Sequence, residues 1–450
     1  MPRFFENSLP FFMSKLITTR TRIADLGKPR IVIIGGGFGG LELAKGMAGF
    51  KAQTVLFDKY NHHCFQPLLY QVASSGLDTG SIVFPFRRRF SKQQDFFFRL
   101  GEVTAIKPEE NYIETSIGGV KYDYLVLANG ASTNYYGMKD VEEFSMPLKN
   151  IIDSIKLRNR IIQNFETALL TDDAELMNSL MDFVIVGGGP TGVEMAGALA
   201  ELKTHVFPTD YPELQLGHMD IHLIEATGRL LNGMSDVAGE KALQYLHEMG
   251  VKVHLNTAVK SYDGHEVSFN NGNKLMTRTL IWAAGVKANP VNGLNPEAIG
   301  RAGRVRVDEF NRVLGHENIF AIGDACIMEG VDNEFMNGHP QVAPPAMQQG
   351  QLLAENIKRI IQKKKLKPFR YKDQGSMATV GRNRAVVDLK TPFKVKTQGT
   401  IAWFIWMFVH LMSLVGARNR VLVLINWLSS YFSYDKSNRV IIARPKDGVA

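Results

Sequence analysis

Two glycine-rich segments of the chain have the residue types and spacing of a phosphate-binding loop. The segments IVIIGGGFGGLELA (31–44) and FVIVGGGPTGVEMA (183–196) both contain the pattern G-x-G-x-x-G between an apolar strand and a helix. In this pattern the first glycine permits a tight turn, the second lets the backbone approach a pyrophosphate, and the third lets helix and strand pack closely. The pattern is filled by Gly35, Gly37 and Gly40 and by Gly187, Gly189 and Gly192. One such loop is a weak signal, but two in the same context predict two dinucleotide-binding sites.

An acidic residue at the end of the next strand completes each predicted site, because its carboxylate can accept hydrogen bonds from both ribose hydroxyls. Asp58 ends the segment TVLFD at the expected distance from the first loop. Glu225 ends IHLIE, 38 residues after Gly187, which predicts an insert between helix and strand. A carboxylate at position 225 would repel a 2′-phosphate and so favours NADH over NADPH. The alternative for Glu225 is a surface residue at a strand end.

The elements that must position these residues alternate between strands and helices. Each half of the chain begins with strand, glycine turn, helix and strand, which is typical of a βαβ unit. Each half closes with an apolar strand followed by glycine, at Gly130 and at Gly285. The further cofactor-binding candidates are the remaining loop residues Phe38, Gly39, Pro190 and Thr191. We predict an α/β fold with two Rossmann-like dinucleotide-binding domains and a C-terminal membrane-associated helical segment.

Two dinucleotide sites in one chain predict that one holds a flavin, FAD, and the other presents NADH to it, so that hydride passes between stacked rings. The flavin needs a further anchor for its ribityl chain, and Asp324 in the segment FAIGDA can supply one. The predicted divisions are a poorly ordered leader (1–29), a discontinuous FAD-binding domain (30–150 and 300–345), an NADH-binding domain (151–299) and a C-terminal region (346–450).

Composition and cysteine count exclude several other functions. The net charge of +8 is scattered along 450 residues, which favours an anionic membrane surface over nucleic acid as partner. The two cysteines, Cys64 and Cys326, form no disulfide framework and have no metal-ligand spacing, so we expect no metal site. A single thiol after the first βαβ unit excludes disulfide-reductase chemistry. The absence of cysteine from 65 to 325 argues against a sulfide:quinone reductase.

Beyond residue 29 the chain resembles the type II NADH:quinone oxidoreductases, which are single-subunit and do not pump protons. The likeness rests on both glycine loops and on the segments NHHCFQPLLYQVASSGL, GVEMAGALAEL, LIEATGRLL, IWAAGV, FAIGDAC, GSMATVGRNRAV and WFIWMFVHLMSLVGARNR. The resemblance implies FAD, NADH as hydride donor, ubiquinone or menaquinone as acceptor, and a homodimer. It implies a place for Glu194 near the nicotinamide and flavin, with a part in proton delivery. The alternative for Glu194 is a stabilising role in the first turn of its helix, through the helix dipole.

The family's quinone-side signature, A-Q-x-A-x-Q, corresponds to residues 343–348. Its first glutamine is replaced by Pro344, which has neither a side-chain amide nor a backbone N–H. We therefore expect Gln348 or Gln349 to be the quinone contact, with Pro344 and Pro345 beside it. The alternative is a proline-rich cap over the flavin with no quinone role.

The C-terminal segment is apolar from 401 to 417 and again in VLVLINWLSSYF. The first run is short for a membrane span, which needs about 20 apolar residues. Trp403, Trp406 and Trp427, with flanking arginines, suit amphipathic helices lying in the membrane interface. The alternatives are a buried helix pair and a dimer contact.

We expect an enzyme on the cytoplasmic side of the cell inner membrane, with the mitochondrial inner membrane as the alternative. The alternative functions are a soluble NAD(P)H-dependent flavin reductase and a redox-sensing, apoptosis-type flavoprotein.

Overall fold

Two units, each with its own parallel sheet, make up the part of the chain that the computed structural model describes, residues 21–390, 394–434, 436 and 438–442. The first unit comprises Met1–His63, Pro85–Ala131 and Lys287–Tyr371, and the second comprises Cys64–Phe84, Ser132–Val286 and Lys372–Ala450. The points at which the chain passes between units include four short strands, His62–Cys64, Val83–Pro85, Ala131–Thr133 and Val286–Ala288.

The first unit is built on five parallel strands, in the order Ile319–Ala321, Tyr124–Leu127, Arg30–Ile34, Gln53–Asp58 and Phe96–Leu100. Four of these strands are almost entirely buried, as expected of a sheet covered on both faces, while the edge strand Phe96–Leu100 is partly exposed. The first phosphate-binding helix, Phe38–Gly46, connects the strand Arg30–Ile34 to Gln53–Asp58. The predicted opening βαβ unit is therefore confirmed.

The other elements of the first unit are three antiparallel strands, a strand pair, two helices and short 3₁₀ turns. The strands are Val103–Lys107, Tyr112–Thr115 and Val120–Lys121, the parallel pair is Val305–Arg306 with Cys326–Ile327, and the helices are Phe86–Arg89 and Ala343–Ile361. Part of the predicted leader belongs to this unit, because Ile23 packs on its core and Gln53 donates a hydrogen bond to Ala24 O. For residues 21–29 the expectation of poor order is wrong, while residues 1–20 lie outside the described residues.

The sheet of the second unit is also parallel, in the order Met146–Pro147, Thr279–Trp282, Phe183–Val186, Ile221–Ile224 and Lys252–His254. The second phosphate-binding helix, Pro190–Glu201, follows the central strand. It continues as a π-helical turn, Leu202–Val206, and a short helix, Phe207–Asp210. These turns, with the loop after them, form the insert predicted between Gly187 and Glu225.

Further helices and a small antiparallel sheet complete the core of the second unit. The helices are Leu69–Ala73, Thr79–Ile82, Lys139–Phe144, Ile151–Ala168, Ala174–Met181 and Asp236–Glu248, and the strands are Val259–Tyr262, Glu266–Phe269 and Lys274–Met276. The two units are defined by which residues pack together, and their boundaries differ from those of the predicted cofactor domains. The Asn289 side chain, for example, donates a hydrogen bond to Asn129 O at 2.7 Å, which ties residues from 287 onward to the first unit.

The C-terminal part of the second unit is a β-hairpin followed by two helices. The C-terminal hairpin pairs Gly375–Gly381 with Arg384–Leu389, and Val395–Gln398 adds a third strand. The C-terminal helix pair consists of Thr400–Ser413 and Ala417–Ser433. Among the residues described, none of the helices combines the length and apolar character required to cross a bilayer.

The C-terminal hairpin lies directly against the second phosphate-binding helix at a glycine. A Cβ placed on Gly197 would lie 1.7 Å from Val380 O, so no side chain fits between the two backbones. Small residues on this helix are therefore a packing requirement.

We expect Gly197→Ala to destabilise the protein by about 1–3 kcal/mol, because the new methyl group must push the hairpin off the helix. Denaturant unfolding followed by circular dichroism measures the change. Gly217→Ala is the matched control, since Gly217 is exposed and a Cβ there meets no atom within 4 Å. Equal stability of the two variants would contradict this packing.

Candidate functional site

The first glycine of each loop has the same geometry in both units. Gly35 has φ +100° and Gly187 has φ +112°, a region that side chains rarely adopt. A Cβ on Gly35 would lie 2.3 Å from Ala128 O, and one on Gly187 would lie 2.6 Å from Ala283 O. Each loop therefore turns over the end of the strand that closes its half of the chain.

The second and third glycines have the roles that the pattern predicts. A Cβ on Gly40 would lie 1.9 Å from Gly35 O, and one on Gly192 would lie 1.9 Å from Gly187 O. The second glycine of each loop faces open space, with no atom within 4 Å of its Cβ position. Each loop thus leaves its backbone accessible at the point where a pyrophosphate would approach.

The two predicted ribose acids are held in equivalent ways. Asp58 Oδ2 accepts a hydrogen bond from Gly36 N at 2.6 Å, and Glu225 Oε2 accepts one from Gly188 N at 2.6 Å. Burial raises the pKa of Asp58, while backbone N–H groups, Gly36 first, oppose the rise. The second carboxylate oxygen of Glu225 accepts hydrogen bonds from Thr227 N and Oγ1, at 2.8 and 2.7 Å. Both acids lie at their loops, so the residues present fit a dinucleotide in each unit.

The other cofactor candidates lie at the same ends of the two sheets. Gly130 and Gly285 have φ +65° and +141°, and a Cβ on Gly285 would meet the Tyr136 hydroxyl at 2.6 Å. Within the first loop Gly39 is buried and the Phe38 ring contacts His63 edge-on, with centroids 5.1 Å apart. The exposed pair Pro190 and Thr191 begins the second phosphate-binding helix.

The predicted flavin anchor, Asp324, lies in a single 3₁₀ turn, Gly323–Ala325. Gly323 has φ +67°, and its N–H donates to Gln349 Oε1 at 2.7 Å. The Gln349 side chain is 2% exposed, so this amide holds the turn against the helix Ala343–Ile361.

The quinone-signature segment forms the start of that same helix. Pro344 and Pro345 lie in its first turn, where a missing N–H costs no helical hydrogen bond. Gln348 is partly exposed, whereas Gln349 is buried. Of the two predicted quinone contacts, Gln348 is thus the one accessible to a substrate.

Glu194 is the fifth residue of the second phosphate-binding helix, so the expectation that it lies in the first turn is wrong. The helix already begins at Pro190. Glu194 is 7% exposed, and its Oε1 accepts a long hydrogen bond of 3.5 Å from Thr379 N. Burial raises the pKa of Glu194 to about 8, with contacts to Thr379 N–H and the Trp406 side chain opposing the rise. A carboxyl with this pKa is largely protonated at neutral pH and can act as a proton donor.

A cavity of about 100 Å³ adjoins Glu194 within the second unit. Its walls come from the second phosphate-binding helix, the C-terminal hairpin, the C-terminal helix pair and the residues that follow it. The charged and polar residues that line it include Tyr70, Glu194, Glu201, Arg382, Trp406 and Lys436. Of these, only Glu194 is predicted from sequence as a site residue. Tyr70, Glu201 and Arg382 lie in segments that carry the resemblance but have no predicted role, and Trp406 is predicted at the membrane interface.

The tryptophans of the C-terminal helix pair do not all face outward as predicted. Trp406 is 1% exposed and stacks on His410, with centroids 4.1 Å apart. The Trp427 indole donates to Gln71 Oε1 at 2.7 Å. For Trp406 the interfacial expectation is wrong, since its ring is buried against His410 and Trp427 of the same helix pair. The exposed face is aliphatic and phenylalanine-rich, with Ile401, Phe404, Phe408, Met412, Val421, Ile425, Leu428 and Phe432.

Comparison with known proteins agrees with this geometry. Residues 29–350 match the family described as pyridine nucleotide-disulphide oxidoreductase, and residues 374–433 match the NDH2 C-terminal domain. The type II NADH:quinone oxidoreductase Ndh of Mycobacterium tuberculosis is 34% identical over 419 residues, which cover 90% of this chain and 88% of that protein. The internal alternative NAD(P)H-ubiquinone oxidoreductase A1, mitochondrial, of Solanum tuberosum is 30% identical over 439 residues, 90% of this chain and 86% of that protein.

A solved structure supports the fold. NDH2 from Plasmodium falciparum in complex with NADH superposes with a TM-score of 0.83 at 22% identity, covering 92% of this chain and 100% of that chain.

We expect Glu225→Gln to narrow the NADH-to-NADPH ratio of kcat/KM by roughly tenfold, because a charge facing the 2′-phosphate is removed. Glutamine keeps an acceptor for Gly188 N–H, so the loop is retained. Steady-state kinetics with both nucleotides measures the ratio, and Glu213→Gln, at an exposed position of the same unit, is the control. An unchanged ratio would remove Glu225 from the specificity site.

Proposed function

Because the chain belongs to the type II NADH:quinone oxidoreductases, we propose that it oxidises NADH with a bound FAD and passes two electrons to a membrane quinone. The observation that carries the proposal is the repeated loop-and-acid geometry in two units of a chain that ends in an NDH2 C-terminal domain. When bound, FAD supplies the redox chemistry, which comprises hydride acceptance from NADH and electron transfer to quinone. The protein supplies binding, orientation and protons.

In this proposal the first unit binds FAD and the second binds NADH. Asp58 would accept hydrogen bonds from the ribose hydroxyls of FAD, the backbone at Gly37 would bind its pyrophosphate, and Asp324 would hold its ribityl chain. Glu225 and the backbone at Gly189 would do the same for the ribose and pyrophosphate of NADH. The equivalent hydrogen bonds of the two acids support the assignment of one nucleotide to each unit.

We assign the quinone side to the start of the helix Ala343–Ile361. Gln348 can donate and accept hydrogen bonds, and a quinone carbonyl that gains negative charge profits most from a donor. Gln349 supports the site by holding Gly323. The prolines at 344 and 345 fix the backbone before Gln348.

We further propose that the C-terminal helix pair lies on the surface of the inner membrane, on its cytoplasmic side, without spanning the bilayer. The exposed apolar residues of both helices support this arrangement, because such a face is stable only against lipid or another protein. The resemblance also implies a homodimer, which sedimentation of the detergent-solubilised protein tests.

Turnover with ubiquinone and menaquinone analogues tests the proposed reaction against both alternatives. A quinone reductase reoxidises its flavin rapidly with one or both analogues. A redox sensor would hold reduced flavin for a long time, and a reductase of another acceptor would reduce soluble dyes but neither quinone.

We expect Gln348→Leu to leave flavin reduction by NADH near wild type and to slow flavin reoxidation by quinone by roughly a hundredfold. The variant lacks one hydrogen-bond donor to the quinone carbonyl, and in a site without water nothing replaces it. Stopped-flow absorbance resolves the two half-reactions. Gln362→Leu makes the same change at an exposed position at the C-terminal end of this helix and should affect neither. Normal reoxidation in the Gln348 variant would remove this residue from the quinone site.

We expect the double variant Phe408→Asn/Phe432→Asn to leave washed membranes while it retains flavin and NADH:dye activity. The two side chains are 66% and 81% exposed, and two lost apolar anchors weaken membrane partition by about a hundredfold. Flotation on lipid vesicles measures binding, and Leu170→Asn, at an 86% exposed site, is the control. Point substitutions are preferable to truncation, which would also remove the buried Trp406. Unchanged flotation would place the anchor elsewhere.

A further inference from the structure

One face of the second phosphate-binding helix leads from the interior of the second unit to solvent. Glu194, Ala198, Glu201 and His205 follow one another at spacings of about one helical turn, which places them on the same side. Glu194 is buried, Glu201 is partly buried and His205 is exposed. Two helical turns separate the two carboxyls, about 10 Å along the axis. The π-helical turn Leu202–Val206, a feature frequent at functional sites, begins directly after Glu201.

The cavity runs beside this face, and all three ionisable residues line it. Its volume of about 100 Å³ gives room for several water molecules. Trp406, which is 1% exposed, lines the same cavity.

The outer carboxyl, Glu201, is fixed in position by two donors. Its Oε1 accepts from Arg382 N at 2.6 Å, and its Oε2 accepts from Lys436 Nζ at 3.3 Å. A carboxylate offers about four acceptor positions, so others remain for water. The other titratable groups that line the cavity are the Tyr70 hydroxyl, which faces both carboxyls, His205 and the Arg382 guanidinium, and Tyr431 and Tyr434, whose rings lie against that guanidinium.

We infer that this cavity conducts a solvent proton to Glu194 and that Glu201 is the residue that feeds it. The inference rests on the proposed function, in which NADH provides two electrons and one of the two protons that a quinol carries. The second proton must come from water. Glu194 breaks its O–H bond to supply that proton and re-forms the bond with a proton from cavity water. The water is restored through Glu201, which takes a proton from solvent near His205.

Stopped-flow reoxidation of the reduced enzyme by a short-chain quinone, followed between about pH 6 and about pH 9, tests the inference. We expect Glu201→Gln to reduce flavin normally with NADH but to slow reoxidation by roughly a hundredfold at the alkaline end, where protons are scarce, and less at the acid end. A larger solvent deuterium isotope effect and partial rescue by acetate should accompany the loss. A purely structural role for Glu201 would give none of these three signatures. Glu240→Gln, at an exposed position of the same unit, should behave as wild type.

A second variant controls for the positive charge of Lys436, which loses its partner when Glu201 is replaced. Lys436 is 8% exposed. Glu201→Gln/Lys436→Met removes both members of the pair, and we expect the same slow, acetate-sensitive reoxidation. Wild-type reoxidation at every pH in this variant would overturn the inference, and so would slowing that is independent of pH and acetate. A wild-type protein that fails to reduce quinone would instead refute the proposed function.

Discussion

The contact between Gly197 and the Val380 carbonyl decides how the second unit is arranged. Without a side chain at this position, the C-terminal hairpin lies flat on the second phosphate-binding helix. Two backbone N–H groups of the hairpin thereby reach carboxyls of the helix, Thr379 N to Glu194 and Arg382 N to Glu201. A single close approach of two backbones sets the position of both acids.

The same helix carries two different functions along its length. Its N-terminus belongs to the nucleotide loop, where open backbone and a helix dipole favour a phosphate. Its flank carries the buried carboxyl, the cavity and the partly buried carboxyl. In the proposed function, one helix thus takes part in both nucleotide binding and proton supply.

The parts of the fold that follow from local sterics could be predicted from sequence. The close approach at Gly192 involves Gly187 O, a few positions away, so the glycine pattern itself contains this requirement, whereas the space at Gly187 is also limited by the distant Ala283 O. The βαβ pattern requires a second strand after the phosphate-binding helix. The end of that strand predicts Glu225, and its distance from Gly187 predicts the insert.

The environment of Glu194 could not be predicted, because its partners are distant in sequence. Thr379 lies 185 positions away, and Lys436 lies 235 positions from Glu201. Hydrophobicity alone also fails to separate the two apolar faces of the helix Thr400–Ser413. Trp406 lies on the packed face, against Trp427, and Phe408 lies on the exposed one, and only the tertiary packing distinguishes them.

Lys436 and the C-terminal helix pair lie near the end of the sequence, so they are synthesised after the rest of the second unit. Both glycine loops leave the ribosome long before these residues, so a nascent chain can assemble its nucleotide sites while the wall of the cavity is still missing. The acid at 194 then stands open to water, and its pKa has no burial to raise it. Completion of the cavity wall thus coincides with completion of the exposed apolar face of the C-terminal helix pair.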